Sequence, residues 1–510
     1  MQGVFARRAL GVGLRSVSAS RGCPKAWISQ TFRGVSTTAP GFEAEARKWS
    51  TPLAKQLAAA ISATGPVPIA SYMRMCLTGD IDGYYTGLAE EGRDQFGEKG
   101  DFVTSPEISQ IFGELIGIWF VAEWLSQGKP KKGVELIEVG PGRGTLMDDM
   151  LRTIQNFKEL GSSIDAIYMV EASPQLREAQ KNLLCGLDAP VTESKVGYHS
   201  VCKRTSVPIV WTETIQSIPK DPEKMPFIVA HEFFDALPIH AFQAFTVPPT
   251  PPQDPQGGDA SPAATAQDVE KPKVEWREML VSPTPPDATH STMNIPKSEQ
   301  GDPIPDFQMT LSSGPTRHSR FLPETSSRYS RLKSSVPNAV AEICPDSSIY
   351  ATDFATRIGG SKQHPKARPS GAALILDYGT SDTVPINSLR GIRRHRRVSP
   401  FSEPGLVDLS ADVDFTAIAE VATRASEGVE VHGPIEQGAF LALMGIKERA
   451  EVLIKQAKAR AAQEKAEDID KAWKRLVDRG PGGMGKVYKA MAILPENEGK
   501  RRPVGFGGDL

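Results

Sequence analysis

The sequence predicts an α/β fold: a doubly wound, mostly parallel sheet of the seven-stranded type, with helical N-terminal and C-terminal additions. Three observations predict it. Residues 134–152, VELIEVGPGRGTLMDDMLR, pass from an apolar run through an acid and three spaced glycines into a run with helical periodicity. Further apolar runs of strand length follow at 166–170, 207–211, 227–230 and 372–376. Helix-period segments separate most of them, the alternation that feeds βα units into a parallel sheet.

In the first unit, Val134, Leu136, Ile137 and Val139 suit a strand buried on both faces, and Leu146, Met147, Met150 and Leu151 recur at helical spacing. Gly140, Gly142 and Gly144 therefore fall in a tight strand-to-helix turn. Glycine tolerates positive φ there and lets a ligand approach the backbone, while the free N–H groups of the next helix can meet its polar atoms. Dinucleotide sites want G-x-G-x-x-G, but here that third place is Thr145. The observed G-x-G-x-G, with Glu138 just ahead, is the form used by S-adenosylmethionine (SAM) methyltransferases. A lone glycine pattern is weak, so the neighbouring strands have to decide.

The second strand, 166–170, ends on Glu171, where a carboxylate can accept both hydroxyls of a ribose; an acid there fits NAD as well. The third, 207–211, precedes Glu213, placed to meet an adenine amino group. The fourth, 227–230, runs into His231, Glu232, Phe233, Phe234 and Asp235. Ligands of doubly wound sheets bind beyond the carboxyl ends of the strands, so this acidic loop should face the pocket. The expected cofactor is SAM, held by Glu138, Gly140, Gly142, Gly144, Glu171 and Glu213, on a class I SAM-dependent methyltransferase sheet.

The chain has 510 residues and a net charge of −2, which gives no reason to expect nucleic-acid binding. No apolar stretch reaches the length of a membrane span; 108–125 is broken by Glu114 and Glu123. A soluble protein is expected. Five cysteines without a C-x-x-C pair, and eight histidines without H-x-H or H-E-x-x-H, argue against a zinc site or disulfide framework, and no metal is assigned. Residues 1–42 are rich in Arg and Ser and lack any acid before Glu43, the composition of a mitochondrial transit peptide, with a basic tail as the alternative.

A helical N-terminal region is expected over 43–130. It holds two helices parted at Gly65-Pro66, then an irregular glycine-rich segment, then a helix capped by Ser105 with Pro106 at its first position and running through Trp119. Asp101, Thr104 and Glu107 either approach the cofactor or only order that turn. The sheet domain is expected over 131–247, 274–281 and 306–380, with a hairpin formed by 240–247 and 274–281. Residues 248–273 and 282–305, rich in Pro, Gly, Asp and Ala, are expected to be disordered insertions. A helical addition is expected over 381–480, in which the basic run 390–397 reads as a solvated loop or a docking surface and helices follow from 408–415, over 440–456 and over 457–475. A last strand and a mobile tail are expected over 481–510.

Four blocks carry a narrower resemblance: GYYTG with FGEKGDFVTSPEISQIFGELIG, ELIEVGPGRGTLMDDMLR, HEFFDALPIHAFQ, and the pair ILDYG and QGAFLALMGIKERAEVLI. Together they resemble the MidA family of mitochondrial protein arginine methyltransferases, assembly factors for respiratory complex I. The resemblance runs from about 51 to 493 apart from the two insertions. It implies SAM on Gly140, Gly142 and Gly144 with Glu171 on the ribose. It also implies symmetric dimethylation of an arginine on the 49-kDa-type subunit of complex I, as a type II enzyme in the mitochondrial matrix. His231 departs from the family, which usually has Asn there.

Guanidinium is a poor nucleophile, with a delocalised lone pair and a pKa above about 12. A site for it should offer carboxylates that hold the fork and localise charge away from the attacking nitrogen. Glu232 and Asp235 are the candidate catalytic acids. Phe233 and Phe234 either exclude water or belong to the core, and Asp235 either serves the substrate or caps a turn. A non-catalytic assembly chaperone and a small-molecule methyltransferase are the rival functions.

Overall fold

The apolar runs become the strands of one sheet. The computed structural model describes residues 47–80, 82–87, 97, 100–248, 273–293 and 301–507. The main strands are β1 (Val134–Val139), β2 (Ile164–Val170), β3 (Pro208–Thr212), β4 (Met225–His231), β5 (Ala372–Thr380), β6 (Val429–Glu436) and β7 (Tyr488–Pro495). They lie in the order β6-β7-β5-β4-β1-β2-β3. β1 pairs in parallel with β2 and β4, β2 with β3, and β4 with β5. β7 runs antiparallel to both of its neighbours, β5 and β6. The order reverses between β1 and β4, the switch point at which such sheets take their ligands.

Helices cover both faces, which is why every residue of β1 and β4 is buried and neither strand alternates polar with apolar. In chain order they include α1 (Pro52–Thr64), α2 (Ile69–Thr78), α3 (Gln110–Ser126), α4 (Thr145–Ile154), α5 (Pro174–Leu184), α6 (Pro345–Gly359), α7 (Phe415–Ala425), α8 (Ile446–Ala459) and α9 (Gln463–Val477). Leu136 and Phe227 pack on one side with Phe112, Trp119, Met150 and Leu476. Ile137 and Ile228 pack on the other with Phe354, Phe415 and Ile418. The two faces of a strand are thus read by adjacent residues. A satellite antiparallel sheet carries the expected hairpin, His240–Val247 paired with Lys273–Pro283, and adds Phe307–Leu311 and Val340–Ile343.

The C-terminal half differs from expectation. Instead of a purely helical addition, 381–480 contains a three-stranded sheet, Arg390–Arg393, Arg396–Val398 and Asp408–Ser410, as well as β6. The basic run is therefore a hairpin, with strand at 390–393 and 396–397, and it is solvated only at its tip, 394–397. Its charges are met from elsewhere: Arg390 pairs with Asp412 at 2.7 Å and lies over the Tyr378 ring at 4.4 Å, and Arg393 pairs with Glu403. Partners far along the chain make a charged strand buriable, and local composition does not show them. Likewise Asp408–Ser410 is strand, and α7 begins only after Asp414, whose carboxylate accepts the Ala417 N–H at 3.0 Å. The expected helix over 440–456 is two, Gln437–Leu443 and α8, parted at Gly445 with φ 80°. The helix placed over 457–475 is also divided: α8 ends at Ala459, and α9 begins at Gln463.

The expected N-cap at Ser105 is corrected to Thr104, which forms a reciprocal capping pair with Glu107 around the single turn Ser105–Ile108. Ser109, extended at φ −155°, then separates that turn from α3. The tail expected to be mobile packs against the body through residue 507. The Val504 carbonyl accepts the Trp119 indole N–H at 3.0 Å, and Phe506 packs on Phe440. Residues 1–42 and 249–272, expected as transit peptide and first insertion, lie outside the described residues, as do 294–300 of the second expected insertion, 282–305. The rest of that second insertion is described and is not all loop: Ser282 and Pro283 end the hairpin strand, and the Thr284 N–H donates to the Asp306 carbonyl at 2.9 Å. Among the described residues no helix is long and apolar enough to cross a membrane.

Arg501 clamps the tail through a two-pronged pair with Glu123, at 3.0 and 2.7 Å, and Glu123 is wholly buried. Replacing Arg501 by Met strands that carboxylate. The change is expected to lower unfolding free energy by about 2–3 kcal/mol, a partly exposed partner giving less than a fully buried pair. Urea denaturation of the two proteins measures it.

Candidate active site

The carboxyl ends of β1, β2 and β4 open into a cavity of about 300 Å³ at the switch point. The glycine turn forms its floor. Gly140, Gly142 and Gly144 all have positive φ, at 66°, 52° and 83°. Two of them are also bare for packing reasons, in addition to the positive φ and ligand approach expected of the turn. A Cβ on Gly140 would stand 2.5 Å from the Phe233 ring, and one on Gly144 would stand 3.3 Å from Gln180 Cγ. Gly140 and Gly142 line the cavity; Gly144 instead starts α4.

Glu138, at the end of β1, is buried, and its Oε2 has no hydrogen-bond partner among the described residues. Burial, with the Glu171 charge adding to it, pushes its pKa up to about 8. Glu171 ends β2 on the same cavity, its Oε1 accepting the Ser173 N–H at 2.8 Å and its Oε2 the Gln180 amide at 3.1 Å. Burial raises it to about 7 against those hydrogen bonds. Glu213 stands at the rim, its side chain 68% exposed and paired with Arg177 at 3.3 Å.

Gln180 is the residue that spacing did not reveal. Fully buried on α5, it donates to the Gly142 carbonyl at 2.6 Å and to Glu171, and accepts the Trp211 indole N–H at 3.0 Å. One amide thereby ties the glycine turn to the ends of β2 and β3. Nothing in QLREAQKNLL distinguishes it from the other polar residues around it.

The wall opposite is the loop after β4. Glu232 takes φ +48°, a conformation costly for a side chain of its size, and donates its N–H to the Leu376 carbonyl at 2.9 Å. That turn brings its carboxylate to the cavity, where Oε1 accepts the Ser105 N–H at 3.3 Å. His231 Nε2 lies 3.1 Å from Glu232 Oε1 without hydrogen-bond geometry, and its ring meets Phe112 edge-on. Phe233 lines the cavity, while Phe234 is core, packed on Tyr350 and Phe354.

The structure does not bring Asp235 to the cavity. It lies behind the loop, accepting the Tyr378 hydroxyl, and burial raises its pKa to about 6. The chain turns inward there because the Asp377 carboxylate on β5 accepts the N–H groups of Phe233, Phe234 and Asp235 at 3.0, 2.8 and 3.3 Å. Of the N-terminal candidates, Thr104 and Glu107 line the cavity, and Glu107 Oε1 lies 3.3 Å from Arg143. Asp101 orders structure instead, accepting the Tyr84 hydroxyl and the Arg394 N–H.

A parallel sheet with a glycine turn at its switch point and buried acids ending the next strands defines a nucleoside-type cofactor fold of the SAM-dependent methyltransferase class. Residues 115–435 match the family described as S-adenosyl-L-methionine-dependent methyltransferases, and the chain belongs to that family. S-adenosylmethionine is its cofactor. The partnerless Glu138 oxygen and the Glu171 carboxylate, both buried, fit the donors such a molecule carries. The chain is 33% identical over 446 residues to the Xenopus laevis protein arginine methyltransferase NDUFAF7, mitochondrial, covering 86% of this chain and 83% of that one. It is 33% identical to the human protein of that name, covering 87% and 84%. The Drosophila melanogaster homolog is 34% identical, covering 87% and 85%. A Burkholderia thailandensis crystal structure, a COG1565 superfamily member bound to S-adenosyl-homocysteine, shares the fold at a TM-score of 0.59 and 21% identity, over 90% of this chain and 93% of that one.

Gly140→Ala should cost about 2–4 kcal/mol, combining a left-handed φ with overpacking against Phe233. The double variant with Phe233→Leu should recover the overpacking part only. Urea denaturation of the two single variants and the pair separates the contributions.

Proposed function

We propose that this chain is a protein arginine methyltransferase of the mitochondrial matrix. Its proposed product is a symmetrically dimethylated arginine on the 49-kDa-type subunit of complex I, made during assembly. The names of its relatives, which include protein arginine methylation and the mitochondrion, support the acceptor and the compartment. The observation that carries the reading is that the Glu232 carboxylate and the His231 imidazole face the same cavity as the glycine turn and Glu171. An arginine side chain reaching that cavity meets an acid and a base beside the cofactor pocket.

Bound SAM supplies an electrophilic methyl group on its sulfonium. On this reading Glu138, Gly140, Gly142, Glu171 and Glu213 hold the cofactor, with Gly144 setting the start of α4. Glu232 accepts two N–H groups of the guanidinium and keeps positive charge on the nitrogens that do not attack. As the new N–CH3 bond forms, the attacking nitrogen must lose a proton, and His231 Nε2 is the nearby unpartnered acceptor. Phe233 limits water. Asp235 acts through the loop as a positioning residue, not on substrate.

Glu232→Gln should bind SAM with unchanged affinity and lose at least about a hundredfold in methyl transfer, since the charge on the fork is gone. The decisive experiment incubates the chain with radiolabelled SAM and the purified 49-kDa-type subunit, followed by acid hydrolysis and separation of the methylarginines. Symmetric dimethylarginine is the expected product. Asymmetric product would remove the type II assignment. Label in small molecules alone, or binding to the subunit without transfer, would overturn the protein substrate or the catalysis.

Cofactor affinity should also depend on pH. A carboxyl raised to about 8 is mostly protonated at neutral pH, and a cationic ligand favours its ionised form. Affinity should therefore climb with pH, by up to about tenfold per unit, and level off above about 8. In the free protein the sign is opposite for stability: the raised acid contributes stability at low pH, which is lost as pH rises from about 4.5 to about 8. Glu138→Gln should flatten both curves, as measured by titration calorimetry and by denaturation across pH.

A further inference from the structure

Three metal-competent side chains meet on the satellite sheet, and none of them lines the cavity described above. His240 opens the strand His240–Val247, Glu278 lies within Lys273–Pro283, and His318 sits in the short helix Arg317–Phe321. His240 Nδ1 is 2.8 Å from Glu278 Oε1, and His318 Nδ1 is 3.1 Å from the same oxygen. One ligand atom from each residue falls within 4.8 Å of the other two.

We propose that His240, Glu278 and His318 form a three-ligand site for a divalent transition-metal ion, with zinc the ion that the donor set fits best. Two imidazoles and one carboxylate are a recurrent zinc set that leaves a fourth position to water. Donors bound to one tetrahedral zinc at about 2.0–2.2 Å stand roughly 3.3 Å from one another. The two ring-to-carboxylate separations therefore need to open only by a few tenths of an ångström. With the ion in place each ring carries its proton on Nε2 and offers the Nδ1 lone pair.

The surroundings prepare the carboxylate. The Thr316 hydroxyl donates to Glu278 Oε2, and Ser312 Oγ accepts the Glu278 N–H at 3.0 Å, so Oε1 is left aimed at the two rings. Outer hydrogen bonds of this kind orient metal ligands. His240 and Glu278 are buried while the His318 side chain is 43% exposed, which gives an ion an entry path and a place for water. The ligands stand 38 and 40 positions from Glu278, so no local spacing motif could display them, and the expectation of no metal rested on such motifs. A bound ion would pin a five-residue helix to the strand that leaves the cavity wall just after Leu237 and Pro238.

The test uses the full chain with any affinity tag removed. After expression in zinc-supplemented medium, elemental analysis should find about one zinc per chain. After chelation and dialysis, zinc chloride should raise the melting temperature by a few degrees, and cobalt chloride should give the visible absorption of a tetrahedral site. His318→Ala, at a half-exposed position, should keep the fold and SAM affinity while losing the metal and both responses. Glu278→Gln, which keeps the shape, should weaken binding at least tenfold. Absence of zinc from the purified chain together with no thermal response, or equal binding by His318→Ala, would overturn the site and leave a plain histidine–carboxylate hydrogen-bond cluster.

Discussion

One buried carboxylate holds the active-site wall in place. Asp377, at the end of the apolar stretch of β5, accepts three successive N–H groups from the loop after β4 and a fourth from Tyr378. These donors offset part of the cost of burying the acid, though burial and the nearby Asp235 still push its pKa well up, and they leave the loop little freedom. From that anchoring follow the left-handed turn at Glu232, the seat of Phe233 in the hollow beside Gly140, and the inward course of Asp235. The strand that supplies the acid and the strand that supplies the loop are neighbours in the sheet, so the site is built from the sheet's own pairing.

The second feature of the site is its sign. Glu107, Glu138, Glu171 and Glu232 line the cavity, and Asp235, Asp377 and Asp408 lie behind it. Burial raises the pKa of Asp408 to about 7, with the Asp235 charge adding to it, and raises Glu107 as well. Arg143 and Arg390 offset part of this charge. A pocket left short of positive charge receives a cation more readily than an anion. The sulfonium cofactor satisfies that demand, as does the guanidinium of the proposed acceptor.

What the sequence revealed divides along a physical line. β2, β4 and β5 were legible because helices cover both faces, so their apolar runs are long, while β1, interrupted by Glu135 and Glu138, was legible from the glycine turn it feeds. The glycine turn was legible because positive φ selects its residues locally. β6, VEVHGPIE, and the basic strand from Arg390 were hidden because their charges are compensated by partners brought in from distant parts of the chain, such as Asp412 and Tyr378. The cofactor side of the pocket could be read from acids that follow strands, whereas Gln180 could not, since its role exists only where three chain ends converge. Asp235 misled for a related reason: lying three residues from Glu232 in sequence does not keep it beside Glu232 across a tight turn.

The strand order has a consequence for how this protein is made. β7 is the last strand in the chain, yet it lies between β5 and β6 and hydrogen-bonds to both. Until it arrives, β5 has an unpaired edge and β6 has no place to dock, however much of the sheet has already formed. A chain still lacking its C-terminal segment therefore carries an open sheet margin of the kind that sticks to other chains. The final segment closes that margin when it is threaded home.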